Sequence, residues 1–327
     1  MEEYILRKIS KRKDKKYYHK YYDKKDKEIK DKKYIEKLID GIYISPAYDN
    51  VKINVQKGAK VRAIGYDDQD RSQYIYNKSF VEEQKDKKFD HMSAFGKQFV
   101  NINKKINEDL YSTKDSKEKQ VAVILKLIME CHFRIGNERY SKKYKSYGTT
   151  TLENHHVKVK KDSVIIDFIG KKKVRNICTV KNKKVVKTLK EKKRTLKKND
   201  RIFTYRNGSQ YYNIKSSDVN KYLKQFGKFT AKNFRTWGAN IEFIVQVNNH
   251  CKNKKLSSKK EKDNCIKKSI EEVACKLHNT SAVCKANYLD PVLLDFFKND
   301  HKKFLKHFDV NNKEELYKKY VSFLDDL

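Results

Sequence analysis

The sequence contains no run of eighteen apolar residues, and its start, MEEYILRKISKRK, lacks the apolar core of a secretory signal. We therefore expect a soluble, intracellular protein that does not enter a membrane. The six cysteines show no C-x-x-C spacing, which indicates neither a zinc site nor a disulfide framework, so we expect reduced thiols. A phosphate-binding P-loop and a dinucleotide-binding glycine fingerprint are also lacking, which argues against a nucleotide-driven motor.

What the sequence has in excess is positive charge. Its 327 residues include 78 Lys and Arg against 42 Asp and Glu, a formal net charge of +36 spread along the whole chain. An AT-rich genome accounts for part of the lysine, but such a genome also supplies Asp and Glu codons. The imbalance therefore predicts a polyanionic partner, and the length predicts two domains.

The N-terminal part has the pattern of a small antiparallel sheet. Between about residues 34 and 77, turn residues separate the alternating runs GIYISPAY, VKINV, KVRAIGY and SQYIYN. Ahead of them lies a low-complexity Lys/Tyr/Asp segment, residues 11–33, which we interpret as solvated surface, with a mobile arm touching DNA as the alternative.

Helical patterns dominate after a charged connector, VEEQKDKKFD. The segment QVAVILKLIMECHF, residues 120–133, is apolar almost all round, as expected of a helix at the centre of a domain. Three strand-like runs, HHVKVK, DSVIIDFIG and VRNICTV, predict a β-meander, and further helices follow, one with Thr230 as a candidate N-cap. We predict an α+β protein with a β-rich domain at residues 1–88 and a larger, mainly helical domain at 89–327.

Acidic residues do not indicate a metal site. Asp67, Asp68 and Asp70 lie in GYDDQD, a predicted hairpin turn, whereas catalytic metals need carboxylates that converge from buried elements. We therefore predict that no metal or other cofactor is required.

Four places carry residues suited to charge stabilisation without a metal, although each also has an ordinary structural interpretation. Arg134 in RIGNERY follows the central helix and could form a buried salt bridge. Lys171 in FIGKKKV lies on a strand turn, where lysines are usually exposed. Arg235 in KNFRTWGAN stands beside the single tryptophan, which suggests core packing, and NTSAVCKANYLDP contains Asn279 and Tyr288.

In this order, the four places resemble one family, the small type IB DNA topoisomerases of poxviruses, other large DNA viruses and some bacteria. GYDDQDRSQYIYN resembles the family's G-x-D-x-x-x-R-x-Q-Y-x-Y, and RIGNERY with SYGTTTL resembles R-x-G-x-x-x-Y and G-x-x-T-L. FIGKKKV resembles F-x-G-K, KNFRTWGAN resembles K-D-[LF]-R-T-[WY], and NTSAVCKANYLDP resembles N-T-P-A-V-x-x-x-x-Y-x-x-P.

The resemblance implies a fold of the tyrosine recombinase and topoisomerase IB type, with the N-terminal domain closing a clamp on duplex DNA. It implies ATP-independent relaxation of supercoils through a 3′-phosphotyrosyl intermediate, with Tyr288 as nucleophile. The implied catalytic partners are Arg134, Lys171, Arg235 and Asn279. The implied DNA contacts are Arg71, Gln73, Tyr74, Tyr76, Tyr140 and Lys232.

Asn279 stands where poxvirus members have histidine and is its neutral equivalent, whereas His278 is one place out of register and, on a helix, would face another side. Two departures from the family pattern affect these assignments. Ser281 replaces the usual proline of N-T-P and should be tolerated as a helix-start residue. Asn137 and Arg139 differ from the basic pair of poxvirus members, so the target sequence is not implied. Alternation puts Tyr74 and Tyr76 on one strand face, which suits either DNA contact or packing.

The alternatives are a tyrosine recombinase or integrase and a non-enzymatic basic DNA-binding protein. Recombinases usually carry a histidine three residues before the second arginine, where this chain has Lys232, and they lack such a β-rich module. We expect a monomer on double-stranded DNA, found where DNA is handled, either a virion or viral factory or else a nucleus or nucleoid.

Overall fold

The computed structural model describes residues 3–14 and 16–326, except for the side chains at positions 85, 86 and 90. Contacts divide the chain into two compact units, Met1–Asp90 and His91–Leu327. The clamp role expected of the N-terminal domain stays a prediction.

Unit 1 is built on an antiparallel sheet that has five strands in the described residues, in the order β2-β1-β3-β4-β5. Its strands are β1 (Tyr4–Lys13), β2 (Lys16–Tyr22), β3 (Asp49–Asn54), β4 (Val61–Tyr66) and β5 (Ser72–Tyr76). Helix α1 (Lys32–Ile39) begins at the N-cap Asp31, whose side chain accepts from the Tyr34 amide. The unit's core contains Ile5, Leu38, Val51 and Ile53. The predicted antiparallel sheet is therefore confirmed.

The segment interpreted as solvated surface, residues 11–33, is mostly exposed, and it contains regular secondary structure: the end of β1, all of β2 and the start of α1. One detail of the N-terminal prediction is wrong. The run GIYISPAY is not a strand, because side chains rather than a neighbouring strand bind its carbonyl groups. Arg7 donates to the carbonyls of Ser45 and Tyr48, and the carbonyl of Pro46 lies 2.9 Å from the His19 ring.

The predicted connector at residues 81–90 is helical and belongs to α2 (Lys78–Tyr111), a helix of 34 residues. The Glu, Gln and Lys residues of segment 81–90 favour helix, and this segment contains neither a glycine nor a proline that would end a helix.

Unit 2 is mainly helical, as predicted. Its other helices are α3 (Lys117–Cys131), α4 (Glu138–Tyr144), α5 (Lys183–Thr195), α6 (Ser216–Leu223), α7 (Ala231–Cys251), α8 (Lys259–Lys276), α9 (Ser281–Asn287), α10 (Pro291–Asn299), α11 (His301–His307) and α12 (Lys313–Asp325). The predicted central helix is α3, which is buried over most of its length. Trp237 of α7 packs against Phe95, Phe99 and Tyr320 with ring centroids 5.0–6.0 Å apart. These contacts hold α7 in the core of the unit.

The predicted meander is confirmed as β6 (Val157–Val159), β7 (Val164–Ile169) and β8 (Arg175–Val180), paired antiparallel in that order. Sequence analysis missed α5 and a second hairpin of β9 (Thr204–Asn207) and β10 (Gln210–Asn213).

The expectation of six reduced cysteines is wrong for four of them. Cys131 at the end of α3 is disulfide-bonded to Cys178 of β8, and Cys251 at the end of α7 is bonded to Cys265 of α8. The paired cysteines are separated by 47 and 14 residues, so chain folding brings them together and no short spacing reveals it. Cys275 and Cys284 are free.

In the described part of the chain, we find no helix with the length and apolar character that crossing a membrane requires.

Candidate active site

Arg134 lies just beyond α3, in a segment fixed by backbone hydrogen bonds. The amides of Thr149 and Thr150 donate to the carbonyls of Arg134 and Ile135, each at 2.8 Å. A Cβ on Gly148 would meet the backbone of Gly136 at 2.5 Å, so glycine is needed for this close approach. The two motifs RIGNERY and SYGTTTL therefore form one structural unit that orients the Arg134 side chain.

The Arg134 side chain binds a neutral partner. Its Nη2 donates to Oδ1 of Asn279 at 2.6 Å, and within the described residues no carboxylate lies within 4.0 Å of the guanidinium. The salt-bridge interpretation considered for Arg134 is therefore wrong.

Arg235 is 3% exposed and lies in the first turns of α7. Its Nη2 donates to the Leu277 carbonyl at 3.2 Å and approaches the Tyr288 hydroxyl at 3.5 Å. Its guanidinium carbon is 5.1 Å from the centre of the Tyr288 ring. Nε and Nη1 are buried and have no acceptor among the described residues. Such unpaired donors are costly in a protein interior, and they fit an anionic ligand.

Tyr288 ends α9, a short helix that begins at the N-cap Thr280. The Thr280 hydroxyl accepts from the Val283 amide, so Ser281 takes the first helical position as expected. Tyr288 is 9% exposed, and its amide donates to the Cys284 carbonyl at 2.9 Å. The proline after it opens α10 with Asp290 as N-cap.

Asn240 fixes the backbone around Tyr288, and sequence analysis did not identify it. Its Nδ2 donates to the carbonyls of Tyr288 (3.0 Å) and Thr236 (2.9 Å), while its Oδ1 accepts from the Asp290 amide (2.8 Å). The side chain is completely buried. An asparagine amid the apolar residues of KNFRTWGANIEFIV was the available signal.

Asn279 and His278 lie between α8 and α9, not on a helix as the sequence argument assumed. His278 has a positive φ of 53° and stacks on Phe133 with ring centres 5.7 Å apart. This turn directs the two neighbouring side chains to different partners, and it is Asn279 that binds Arg134. The Nδ2 group of Asn279 is buried without an acceptor among the described residues.

Lys171 lies on the tight turn between β7 and β8, where Lys172 and Lys173 have positive φ. Partial burial lowers the Lys171 pKa, and the charge of Arg134 lowers it further, whereas Tyr288 raises it. Lys171 is therefore within electrostatic reach of both Arg134 and Tyr288.

The electrostatic environment favours ionisation of Tyr288. Burial alone raises the Tyr288 pKa, but the charge and hydrogen bond of Arg235, with the charges of Arg134 and Lys232, lower it overall below its usual 10. Lys232 is exposed at the first turn of α7. Contacts therefore join Arg134 to Asn279 and Arg235 to Tyr288, and the charges of Lys171 and Lys232 act on the same group.

The N-terminal candidates belong to unit 1. Tyr74 and Tyr76 are 53% and 44% exposed, and their rings stack 6.2 Å apart. The packing-face alternative is therefore wrong for these two tyrosines. Arg71 and Gln73 donate to the Asp67 carboxylate at 2.7 and 2.9 Å. One carboxylate of the acidic turn is therefore already hydrogen-bonded within the protein.

Tyr140 of α4 is 44% exposed, and its ring centre lies 5.6 Å from that of Tyr144. Among the described residues we find no contact between Tyr140 and the catalytic group, and its DNA contact stays a prediction.

One group outside this site has the composition of a metal centre. Ligand atoms of Glu153, His155 and His156 lie within 4.8 Å of one another. However, Arg201 pairs with the Glu153 carboxylate at 3.6 Å, and Nδ1 of His156 accepts from the Glu153 amide at 3.0 Å. With these ligand atoms already engaged, we assign no metal to the group.

Comparison with known proteins finds DNA topoisomerases among the relatives of this chain. The chain is 28% identical to a DNA topoisomerase 1B of Acanthamoeba polyphaga mimivirus, covering 88% of this chain and 86% of the relative. It is 26% identical to the DNA topoisomerase 1B of vaccinia virus, covering 74% and 73%. A DNA topoisomerase 1 of Daucus carota is 31% identical over 42% of this chain and 17% of the relative.

Fold and relatives together define a type IB DNA topoisomerase, an isomerase, of the viral type. The family model described as eukaryotic DNA topoisomerase I, catalytic core, matches residues 77–314, and the chain belongs to this family. The recombinase alternative is not favoured.

Proposed function

We propose that the chain relaxes duplex DNA by transesterification at Tyr288. The Tyr288 hydroxyl loses its proton and attacks a backbone phosphorus, so the new P–O bond forms as the bond to the 5′ oxygen breaks. The 5′ oxygen leaves with a proton, the DNA rotates, and the reverse reaction reseals the strand. One ester replaces another, so no nucleotide is consumed.

The observation that carries this proposal is the pairing of Tyr288 with Arg235. Their 3.5 Å separation suits a resting enzyme, in which catalytic hydrogen bonds are often long. The lowered Tyr288 pKa increases the fraction of the nucleophilic phenolate near neutral pH.

Three unpaired donors support a phosphate at this position. They are Nε and Nη1 of Arg235 and Nδ2 of Asn279, all buried and without acceptors in the described residues. A phosphodiester offers two non-bridging oxygens on which charge grows in the transition state, and prepositioned donors stabilise that charge. We assign Arg235, Arg134 and Asn279 to this task.

We assign Lys171 as the acid that protonates the departing 5′ oxygen. Burial lowers its pKa, which makes it a better proton donor than an exposed lysine. Its place on a strand turn would let the side chain enter a DNA groove. Lys232 adds positive charge beside the same phosphate, while Tyr74 and Tyr76 would contact DNA from unit 1.

Tyr288→Phe tests the nucleophile. The change removes one oxygen and keeps the ring, so folding and duplex binding should stay near wild type while plasmid relaxation and the covalent adduct are lost. Tyr211→Phe, at an exposed tyrosine of β10 to which no role is assigned, is the matched control and should still form the adduct. Peptide mapping should find the DNA on Tyr288 through a 3′ phosphate; a link through another tyrosine or a 5′ phosphate would overturn the proposal.

Double-stranded DNA is the proposed partner, and a monomer binds it as a clamp. The proposed location is where DNA is handled, either a virion or viral factory or else a nucleus or nucleoid. Sedimentation of the protein on a single-site duplex tests the stoichiometry, and a 2:1 complex would contradict it.

A further inference from the structure

The turn between α8 and α9 contacts both of the arginines assigned to the phosphate. The Leu277 carbonyl accepts from Arg235 Nη2 at 3.2 Å, and Asn279 Oδ1 accepts from Arg134 Nη2 at 2.6 Å. His278 stands between these two residues of the turn, yet the chemistry proposed above does not use its side chain.

His278 has a backbone conformation that few side chains tolerate. Its φ is 53°, in the left-handed region, and its amide donates to the Cys275 carbonyl at 3.0 Å. The Asn279 amide donates to the Ala274 carbonyl at 2.9 Å. These two hydrogen bonds form a Schellman motif that ends α8, and His278 occupies the position in it where glycine is usual.

The His278 ring is the first of three rings in contact. It stacks on Phe133 with ring centres 5.7 Å apart and planes at 27°, and Phe133 meets Phe168 edge-on at 4.9 Å. Phe133 and Phe168 are buried. Phe133 directly precedes Arg134, and Phe168 lies on β7, three residues before Lys171. The rings therefore connect the α8–α9 turn with two other chain segments of the candidate site.

Histidine meets two requirements at this position. Glycine and asparagine adopt left-handed backbone readily, but they bring no ring to stack on Phe133. Phenylalanine brings a ring, but left-handed backbone is strained for so bulky a side chain. Histidine is enriched in left-handed conformations and also has a flat ring. Since glycine would suffice to end α8, the ring points to a second role.

The surroundings of His278 keep its ring uncharged near neutral pH. Burial lowers the pKa of His278, the charges of Arg235 and Arg134 lower it further, and a hydrogen bond to the Cys131 carbonyl partly offsets them. An uncharged ring can lie beside two guanidinium groups without repelling them.

We propose that His278 is a positioning residue for DNA cleavage, whose ring holds the α8–α9 turn against Phe133 and so keeps Asn279 on Arg134. The proposal rests on the proposed function, because it takes Asn279 and Arg134 as groups that stabilise the phosphate. A turn released from Phe133 would displace the Asn279 amide and leave Arg134 without its partner.

Two substitutions separate the ring from the backbone conformation. His278→Asn keeps a residue that tolerates left-handed backbone but removes the stack, whereas His278→Phe keeps a ring and strains the backbone. His307→Asn is the matched control in α11, because it removes a ring that packs on Phe308 at 4.6 Å and lies 3.1 Å from the Lys319 carbonyl. Each protein is assayed for urea unfolding, duplex affinity and single-turnover cleavage of a duplex with one mapped cleavage site.

We expect stability and cleavage to respond in opposite order. His278→Asn should unfold at a urea concentration close to that of His307→Asn but cleave about 10²-fold more slowly than wild type, as when a reacting group moves by about 1 Å. His278→Phe should unfold at a lower urea concentration than His278→Asn, while its folded form cleaves faster than His278→Asn. His307→Asn should cleave like wild type, and duplex affinity should change little throughout.

A double-mutant cycle tests whether His278 acts through Asn279. Asn279→Ala alone should lower the cleavage rate by ~10²–10³-fold. Adding His278→Asn to Asn279→Ala should then cause little further loss, whereas independent roles would give losses that multiply.

Three results would overturn the assignment. These are wild-type cleavage by His278→Asn, a folded His278→Phe that cleaves no faster than His278→Asn, or losses that multiply in the double variant. If His278→Asn does not fold, His278→Gly takes its place, because glycine adopts the left-handed conformation without strain. Failure of the proposed function gives a different result, because the wild type would then form no covalent adduct on the duplex.

Discussion

Asn240→Ala should separate the positioning of Tyr288 from the chemistry that Tyr288 performs. The substitution removes the donor to the Tyr288 carbonyl and the acceptor for the Asp290 amide. Each buried backbone group left without a partner costs about 1–3 kcal/mol, so for the two groups we expect a loss of roughly 2–6 kcal/mol in the free energy of unfolding. The same loss frees the segment that carries the nucleophile.

The effect on activity should appear in the cleavage step. A displacement of about 1 Å at a reacting group can cost ~10²-fold in rate, and we expect a loss of that order in single-turnover cleavage. Duplex affinity should change little, because Asn240 is completely buried and cannot touch DNA. Asn240→Asp keeps an acceptor for the Asp290 amide, but it places a carboxylate oxygen against the carbonyls of Thr236 and Tyr288. We therefore expect Asn240→Asp to cleave no faster than Asn240→Ala.

Asn248→Ala is the matched control on the same helix. Asn248 donates to the Phe308 carbonyl at 2.9 Å, two turns further along α7. Its removal should lower stability while leaving the cleavage rate of the folded protein near wild type. If Asn240→Ala lost stability yet cleaved as fast as Asn248→Ala, the positioning argument would be refuted.

Three further outcomes are expected. Single-turnover cleavage should rise with pH as Tyr288 ionises and fall at higher pH as Lys171 loses its proton, and Lys171→Ala should lose the falling limb; a flat wild-type profile would contradict both assignments. Burial, with the charges of His155 and Arg201, lowers the His156 pKa to about 4, so its stabilising effect is complete above pH 6.5 and declines toward pH 4 by about 1.4 kcal/mol per pH unit. Urea titrations at pH 7 and 5 should show a smaller acid loss in His156→Gln than in wild type. Relaxation should persist in EDTA without ATP, and an absolute requirement for magnesium would count against Arg134 and Arg235 as the source of charge stabilisation.

Sequence patterns predicted the elements of unit 2 better than those of unit 1. The central helix and the meander follow from local periodicity, because each buries its own apolar face. In GIYISPAY the same alternation is misleading, since Arg7 and His19, more than twenty residues away, bind its carbonyls. The disulfides were missed for the same reason, because tertiary contacts between distant residues leave no mark on local pattern.

The candidate site was predicted through motif resemblance, and the residues that hold it were predicted less well. Arg134, Lys171, Arg235, Asn279 and Tyr288 stand at matched motif positions. Asn240 acts through two backbone groups, and nothing in the sequence indicates that Tyr288 and Asp290 would be its partners.

Arg235 and Trp237 explain why one short motif supported two interpretations. Residues two apart on an α-helix point about 200° from each other, so the two side chains face opposite sides of α7. Trp237 packs into the aromatic core, as the packing interpretation held, while Arg235 faces Leu277 and Tyr288. A desolvated arginine without a carboxylate costs stability, and the rigid packing of the opposite face is what keeps it from turning out to solvent. Buried arginines are normally paired with a carboxylate, and Arg235 departs from that rule. A guanidinium that is to bind a phosphate cannot at the same time be neutralised by a carboxylate of the fold.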